Sequence, residues 1–245
     1  MFKRKKNRDK NLMQKGQKLG TPLISHFEPM SAFSEQYRTL RTNIEFAQVG
    51  KNLQTLAVTS SIANEGKSTT TVNLAYTYAK TGRKVLVIDA DLRKPNLHLT
   101  FQLNNSRGLS TLLVKDNLNI LDVIQYSEEL ELYFLTSGAI PPNPSELVAS
   151  TKMITLLEEL KQIFDLIIFD TPPAHSVSDA QIISSKVDGI ILIARQNFVT
   201  IQQVRETTES LKNVNANILG FVLNDVSNKK DEGYGYYEYS TNDEA

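Results

Sequence analysis

The sequence predicts an α/β domain, a mainly parallel sheet with helices on both sides, and three observations carry that reading. Short unbroken apolar runs such as "KVLVIDAD", "DLIIFD" and "GIILIAR" read as strands buried on both faces, because a strand with one wet face would alternate. Stretches with apolar residues at helical spacing stand between those runs, which is what parallel neighbours need as crossovers. A chain of 245 residues, 40% of them hydrophobic, suits one such domain and supplies a core.

In chain order, residues 1–27 read as a flexible polar arm. The segment "SAFSEQYRTLRTNIEFAQ" then reads as a helix over 31–49: Phe33, Tyr37, Leu40, Ile44 and Ala47 recur at helical spacing, leaving Glu35, Arg38 and Arg41 on other faces. "LQTLAVTS" is a short β-rich run, and "GKSTTTVNLAYTYAKTG" a helix with Gly82 as its stop signal. After the strand "KVLVIDAD", "GLSTLL" and "NILDVI" read as short helices and "LYFLTSG" as a strand. "PSELVASTKMITLLEELKQIF" reads as one helix with Pro144 at its start. The strand "DLIIFD", the helix "DAQIISSKV", the strand "GIILIAR", the helix "TIQQVRETTESLKN" and the strand "ILGFVLND" complete the pattern. No repeat or linker interrupts it. The expectation is a single domain over 28–225, with an arm before it and a tail over 226–245 after it.

Composition narrows the chemistry. There is no cysteine, which removes disulfides, thiolate nucleophiles and thiolate metal sites and fits a reducing compartment. His26, His98 and His175 have no zinc spacing. No run approaches the roughly 18–20 apolar residues of a membrane span, and the charged start "MFKRKKNRDK" is not followed by the apolar core of a signal peptide. Net charge is zero but uneven. Residues 1–18 carry eight Lys or Arg against one Asp, and residues 229–245 carry two Lys against five Asp or Glu. The basic arm suits a solvated tail or an anionic membrane surface, at about 1 kcal/mol per charge near that surface; nucleic acid is not the expected partner. The acidic end holds "YGYYEY", four of the nine tyrosines within six residues, where no core needs them.

The motif with most chemistry is "SIANEGKS", residues 61–68, between a predicted strand and a predicted helix. That is the context of a phosphate-binding loop: backbone N–H groups and the positive helix end face an anion. Lys67 can bridge β- and γ-phosphates and Ser68 can offer its hydroxyl to Mg²⁺. The usual pattern is G-x-x-x-x-G-K-[ST], with Ser61 here at the first glycine. Two strands end in acids: "VLVIDADLR" in Asp89, Asp91 and Arg93, and "LIIFDTPP" in Asp170. Ligands of open α/β sheets bind at the carboxyl ends of strands, where these acids and Ser68 can share a cation. A carboxylate within reach of an attacking hydroxyl can orient it and accept its proton late, and Asp89 and Asp91 are the candidates. Two residues apart, they face opposite ways on an ideal strand, though both can reach a site at its frayed end.

In the order of its motifs the chain resembles the bacterial tyrosine kinases of capsule and exopolysaccharide operons, in the Gram-positive form with a separate kinase chain. The resemblance covers about residues 31–239. It rests on the Glu35, Arg38, Arg41 helix, the loop ending Gly66, Lys67 and Ser68, "VLVIDADLRKP", "LIIFDTPP" and the cluster Tyr234, Tyr236, Tyr237 and Tyr239. The resemblance implies a P-loop NTPase fold and ATP-dependent, Mg²⁺-dependent autophosphorylation of that cluster. It gives Lys67 the phosphates, Ser68, Asp91 and Asp170 the metal, and Asp89 the role of base. Ser61, Asn64, Glu65, Gly66, Lys67, Ser68 and Thr69, with Asn224 at the last strand end, are the expected nucleotide contacts. It further implies a ring joined through Glu35, Arg38 and Arg41, a transmembrane activating adaptor of the polysaccharide co-polymerase type, a cognate tyrosine phosphatase, and a cytoplasmic chain recruited to the membrane. Ala63 and Asn64 depart from the common Pro-Gly of the loop. The competing readings are a partitioning or septum-positioning ATPase, which carries a second lysine where this chain has Ile62, and a non-catalytic nucleotide-gated scaffold, which needs no positioned base.

Overall fold

The computed structural model describes residues 22–48, 50 and 52–227. Seven strands form one sheet: β1 (Thr55–Ser60), β2 (Val85–Asp89), β3 (Gln125–Ser127), β4 (Leu132–Leu135), β5 (Leu166–Asp170), β6 (Gly189–Arg195) and β7 (Ile218–Asn224). Their spatial order is β3-β4-β2-β5-β1-β6-β7, and every pair is parallel except β3 with β4. The helices are α1 (Ile24–Phe27), α2 (Ala32–Ala47), α3 (Lys67–Ala79), α4 (Leu97–Phe101), α5 (Leu109–Val114), α6 (Pro144–Ala149), α7 (Thr151–Lys161), α8 (Ser178–Ser184) and α9 (Ile201–Asn213), with a 3₁₀ turn at Ile120–Asp122.

Alternation along the central strands builds two cores, one on each face. Ala57, Leu86, Ile88, Ile167, Phe169 and Leu192 point to one side, where α7 supplies Leu156, Leu157 and Leu160. Leu56, Val58, Val87, Ile168, Ile191 and Ile193 point to the other, against Val72, Leu74 and Tyr78 of α3. Both positions of each residue pair are therefore apolar, which is why the runs are unbroken. Helix α3 is buried almost all round, because α1 and α2 cover the side that the sheet does not.

Four local readings change. The expected helix over 144–164 is two. Ser150 takes an extended conformation (φ −61°, ψ 155°), ends α6, and accepts the Met153 N–H on its Oγ to start α7. The segment "NILDVI" forms only the 3₁₀ turn, and the chain then adds β3 as an antiparallel edge strand. Within the expected flexible arm, α1 is a helix tied to α3: Ser25 N–H donates to Asn73 Oδ1 (2.8 Å), and Asn73 Nδ2 donates to Pro22 O (2.8 Å). On α2 the fully buried positions are Ser34 and Ile44, while Phe33 and Ala47 are exposed. The inward face is shifted by one residue because it meets the polar end of α1 as well as apolar α3. Readings that concern residues 1–21 and 228–245, the tyrosine cluster included, lie outside the described residues. No helix among the described residues is long and apolar enough to cross a membrane.

Candidate active site

The loop leaving β1 is held from three directions. Glu65, fully buried, accepts the Ile62 N–H at 2.7 Å and the Arg195 N–H at 3.1 Å, so its carboxylate straps the loop to the end of β6. Asn224 at the end of β7 donates from Nδ2 to Glu65 O (2.9 Å) and packs on Gly66. Gly66 has φ +94°, a conformation that demands glycine, and a Cβ there would stand 2.1 Å from Asn224 Nδ2 and displace that amide from Glu65 O. Asn64, where the common pattern has glycine, also sits at positive φ (65°). Asparagine is the side chain that best tolerates that region, so the departure preserves the loop's shape. Ser61 needs no left-handed conformation and is buried, so a serine there imposes no backbone strain.

α3 starts at Lys67 and aims its N-terminus into a cavity of about 450 Å³. Gly66, Lys67, Ser68 and Thr69 line it on one side, and Asp91 and Arg93 on another. Beneath, β2 and β5 are neighbours with Asp89 directly opposite Asp170. Asp89 is 1% exposed; its Oδ2 accepts the Asn96 and Leu97 N–H groups at 3.1 Å each, and its Oδ1 has no donor. Asp170 is 3% exposed and its Oδ1 also lacks a donor. Burial pushes Asp170 up to about 6, with Asp91 adding to the rise, against the downward pull of the Lys67 charge and of the nearby Ser68 and Thr71 hydroxyls. Burial and then the Asp170 charge hold Asp89 well above the usual carboxylate range. Asp91 lies past the strand, partly open to the cavity, with Oδ1 accepting the N–H groups of Arg93 (3.2 Å) and Lys94 (2.9 Å).

The donors present suit a triphosphate and a hard cation. Buried oxygens without partners are costly, and two such carboxylate oxygens sit beside a serine hydroxyl and a lysine at the mouth of a helix N-terminus. Oxygen donors of this kind match Mg²⁺. The fold thus brings together Ser61, Asn64, Glu65, Gly66, Lys67, Ser68, Thr69, Asp89, Asp91, Asp170 and Asn224, while Glu35, Arg38 and Arg41 stand apart on α2. Arg38 pairs with Glu35 (2.6 Å) and donates to Pro29 O (3.0 Å). Arg41 turns inward instead of lying on another face: its Nη1 donates to Thr77 O in the last turn of α3 (2.8 Å). Sequence reasoning passed over Arg195, whose N–H, ion pair to Asp225 (2.8 Å) and Nη1 contact with Asn64 O (3.4 Å) hold the loop from outside. It also passed over Asp179, which grips Arg93; neither has a motif to announce it.

A family model described as an AAA domain matches residues 53–221. Over 91% of this chain and 94% of the relative, the sequence is 43% identical to the tyrosine-protein kinase YwqD of Bacillus subtilis. The chain belongs to the bacterial tyrosine kinases. It is accordingly a protein-tyrosine kinase with a P-loop. The solved kinase domain of the Escherichia coli tyrosine kinase ETK superposes with a TM-score of 0.81 at 36% identity, covering 88% of this chain and 84% of that one. The septum site-determining protein MinD of Pyrococcus horikoshii, bound to Mg-ADP, shares the fold alone, at 24% identity, 70% coverage of each chain and a TM-score of 0.58.

Proposed function

We propose that this tyrosine kinase transfers the γ-phosphoryl group of ATP to Tyr234, Tyr236, Tyr237 and Tyr239 of a neighbouring copy within a ring. The observation that carries the reading is the pair of buried carboxylates at the ends of β2 and β5, each with an oxygen lacking a donor, next to Lys67. In the transfer, the phenol oxygen forms a bond to the γ-phosphorus as the bond from that phosphorus to the β,γ-bridging oxygen breaks and ADP leaves. The phenol proton passes to Asp89, whose affinity for it burial has raised. Lys67 and the N–H groups of residues 66–69 bind the phosphates, and Asn224 keeps Gly66 in the conformation that points them there. Ser68, Asp91 and Asp170 would hold Mg²⁺, which when bound neutralises charge on the β- and γ-oxygens. Water is kept from the base because Asp89 lies under the 91–97 segment, whose N–H groups cap its Oδ2.

The wider reading is that the chain works in the cytoplasm, drawn to the inner face of the membrane by a transmembrane adaptor, and regulates capsular or exopolysaccharide synthesis and export, with a tyrosine phosphatase resetting it. Four phosphotyrosines would add about −6 to −8 of charge per chain, enough to drive a ring apart. Incubating the purified chain with Mg²⁺ and ATP, with and without an adaptor's cytoplasmic segment, tests the transfer. Phosphotyrosine should map to residues 234–239. ADP release in both arms with no phosphotyrosine would instead identify a water-directed ATPase.

A further inference from the structure

Asp179, the second residue of α8, is enclosed behind the cavity, with its side chain 1% exposed. It grips Arg93 with both oxygens, Nε donating to Oδ2 at 2.8 Å and Nη2 to Oδ1 at 3.1 Å. The Ser145 hydroxyl, from the first turn of α6, donates to Oδ1 at 2.5 Å, and Arg93 Nη2 also reaches Ser145 Oγ at 3.1 Å. Ser178 Oγ closes the group at 3.2 Å from Ser145 Oγ. Arg93 is at the same time a wall of the cavity, and its Nη1 makes no hydrogen bond among the described residues. Its backbone N–H and that of Lys94 are the two donors to Asp91 Oδ1. Two sets of hydrogen bonds, joined by the Arg93 side chain, therefore link α8 to the turn over residues 91–94 and to a carboxylate that faces the cavity.

Stability alone is a poor reason for this arrangement. The Arg93 side chain is 40% exposed, and a pair with one solvated partner contributes little. Enclosing a carboxylate completely is costly unless every lone pair is served. Here the donors that serve it come from the turn bearing Asp91 and from α6, and their shared result is a fixed guanidinium. A planar, forked donor held at two nitrogens has one orientation, which lysine could not reproduce.

We propose that Asp179 is a positioning residue for phosphoryl transfer: it clamps Arg93, so that the 91–94 turn aims the Asp91 carboxylate and the free Nη1 of Arg93 stands at the cavity wall as a contact for a phosphate or for an acid beside the tyrosine acceptor. The inference rests on the tyrosine kinase reading of the site. It predicts a loss in turnover that exceeds any loss in nucleotide affinity, since neither the loop nor Lys67 depends on Asp179 and the Asp91 carboxylate is left in place, only less well aimed.

The test compares the full chain with Asp179→Ala, Asp179→Asn, Arg93→Ala and the double variant Arg93→Ala with Asp179→Ala, with Lys67→Met as the reference for the site itself. Asp179→Ala should lower kcat for phosphotyrosine formation by about 10- to 100-fold, the usual cost of removing a supporting partner. The KM for ATP should stay within about threefold of wild type, the pattern of an interaction that matters after binding. The double variant should be no slower than the slower single one, because Asp179 acts through Arg93. In the nucleotide-free protein, hydrogen exchange of the Arg93 and Lys94 amides should quicken while β2 keeps its protection. Should Asp179→Ala unfold, Asp179→Asn, which keeps the shape and one acceptor, should show the same pattern at smaller size. Unchanged turnover, losses that multiply in the double variant, or unchanged exchange at Arg93 and Lys94 would each overturn the proposal. An inactive Lys67→Met beside a fully active Asp179→Ala would remove only this inference; an active Lys67→Met would remove the reading of the site beneath it.

Discussion

Asp89 and Asp170 lie under the loop at 1% and 3% exposure, each with an oxygen that no donor reaches, whereas Glu35 and Arg38 lie on the surface and satisfy one another within a single helix turn. Both regions are charged motifs, and they differ in what they leave unfinished. Each buried polar group left without a partner costs on the order of 1–3 kcal/mol, so the strand ends are stable in spite of their acids and gain from a ligand that completes them. The surface pair contributes at most about 1 kcal/mol and asks nothing of a partner. Arg41, the third member of the α2 motif, turns inward: its Nη1 donates to Thr77 O, while its buried Nε has no partner among the described residues. A pair of acids left incomplete in its own fold, as Asp89 and Asp170 are, points to binding more strongly than the Glu35–Arg38 pair, which is already complete.

The largest effect is expected from Lys67→Met. It removes the point charge at the phosphates but little packing, so phosphotyrosine formation should fall by at least ~10²–10³-fold while the melting temperature holds. Wild-type phosphorylation in that variant would dissolve the special status of the strand-end site. Asp89→Asn comes next. The amide has the same shape and cannot take the phenol proton, so turnover should drop by ~10²–10⁴-fold with ATP binding retained. Asp170→Asn should instead weaken nucleotide binding and its Mg²⁺ dependence together; identical binding losses in the two variants would refute the division of roles.

Stability tests the same contrast without any ligand. The folded-state pKa of Asp170, raised to about 6, favours its protonated form. Its contribution is present below the unfolded value near ~3.8 and lost as pH rises through about 6. Above that, the carboxylate is a penalty of ~3 kcal/mol at most, by the conversion of ~1.4 kcal/mol per pH unit. Asp170→Asn should therefore raise the melting temperature of nucleotide-free protein at pH 7–8, and the gain should shrink below pH 4. Equal gains at both pH values would show that the acid is not held against its preference.

The smallest effects belong to α2. Arg41→Ala should cost about 1.5–3 kcal/mol, the range for a hydrogen bond made by a charged group. Joint replacement of Glu35 and Arg38 by Ala should cost no more than about 1 kcal/mol, as urea titration would show. That milder pair is also the cleaner probe of the proposed ring: light scattering should report a smaller assembly in a chain that has kept its fold. If the joint variant assembles as the wild type does, the outer face of α2 is not the contact.

Much of this was legible before any tertiary information. The central strands announced themselves because parallel strands are buried on both faces, so both of their side-chain sets must be apolar. The phosphate loop was legible from Gly66, Lys67 and Ser68 placed between a strand and a helix, and the acids from their position at strand ends. These features are local, or follow from a period of two along one strand. Ser150 escaped notice because its choice between continuing a helix and capping the next one depends on how α6 and α7 pack, and β3 because a three-residue polar strand exists only through its pairing with β4.

What the tertiary structure alone decided are the relations between distant positions. The amide that packs on residue 66 comes from residue 224; the strap on Glu65 comes from residue 195; the clamp on Arg93 comes from residue 179. Nor could helical spacing tell that Arg41 turns inward, because that depends on the Thr77 carbonyl standing free at the end of α3. Sequence periodicity encodes which face of an element is apolar. It does not encode which neighbour that face meets, and a hydrogen bond between residues a hundred positions apart is set by the packing of the whole sheet.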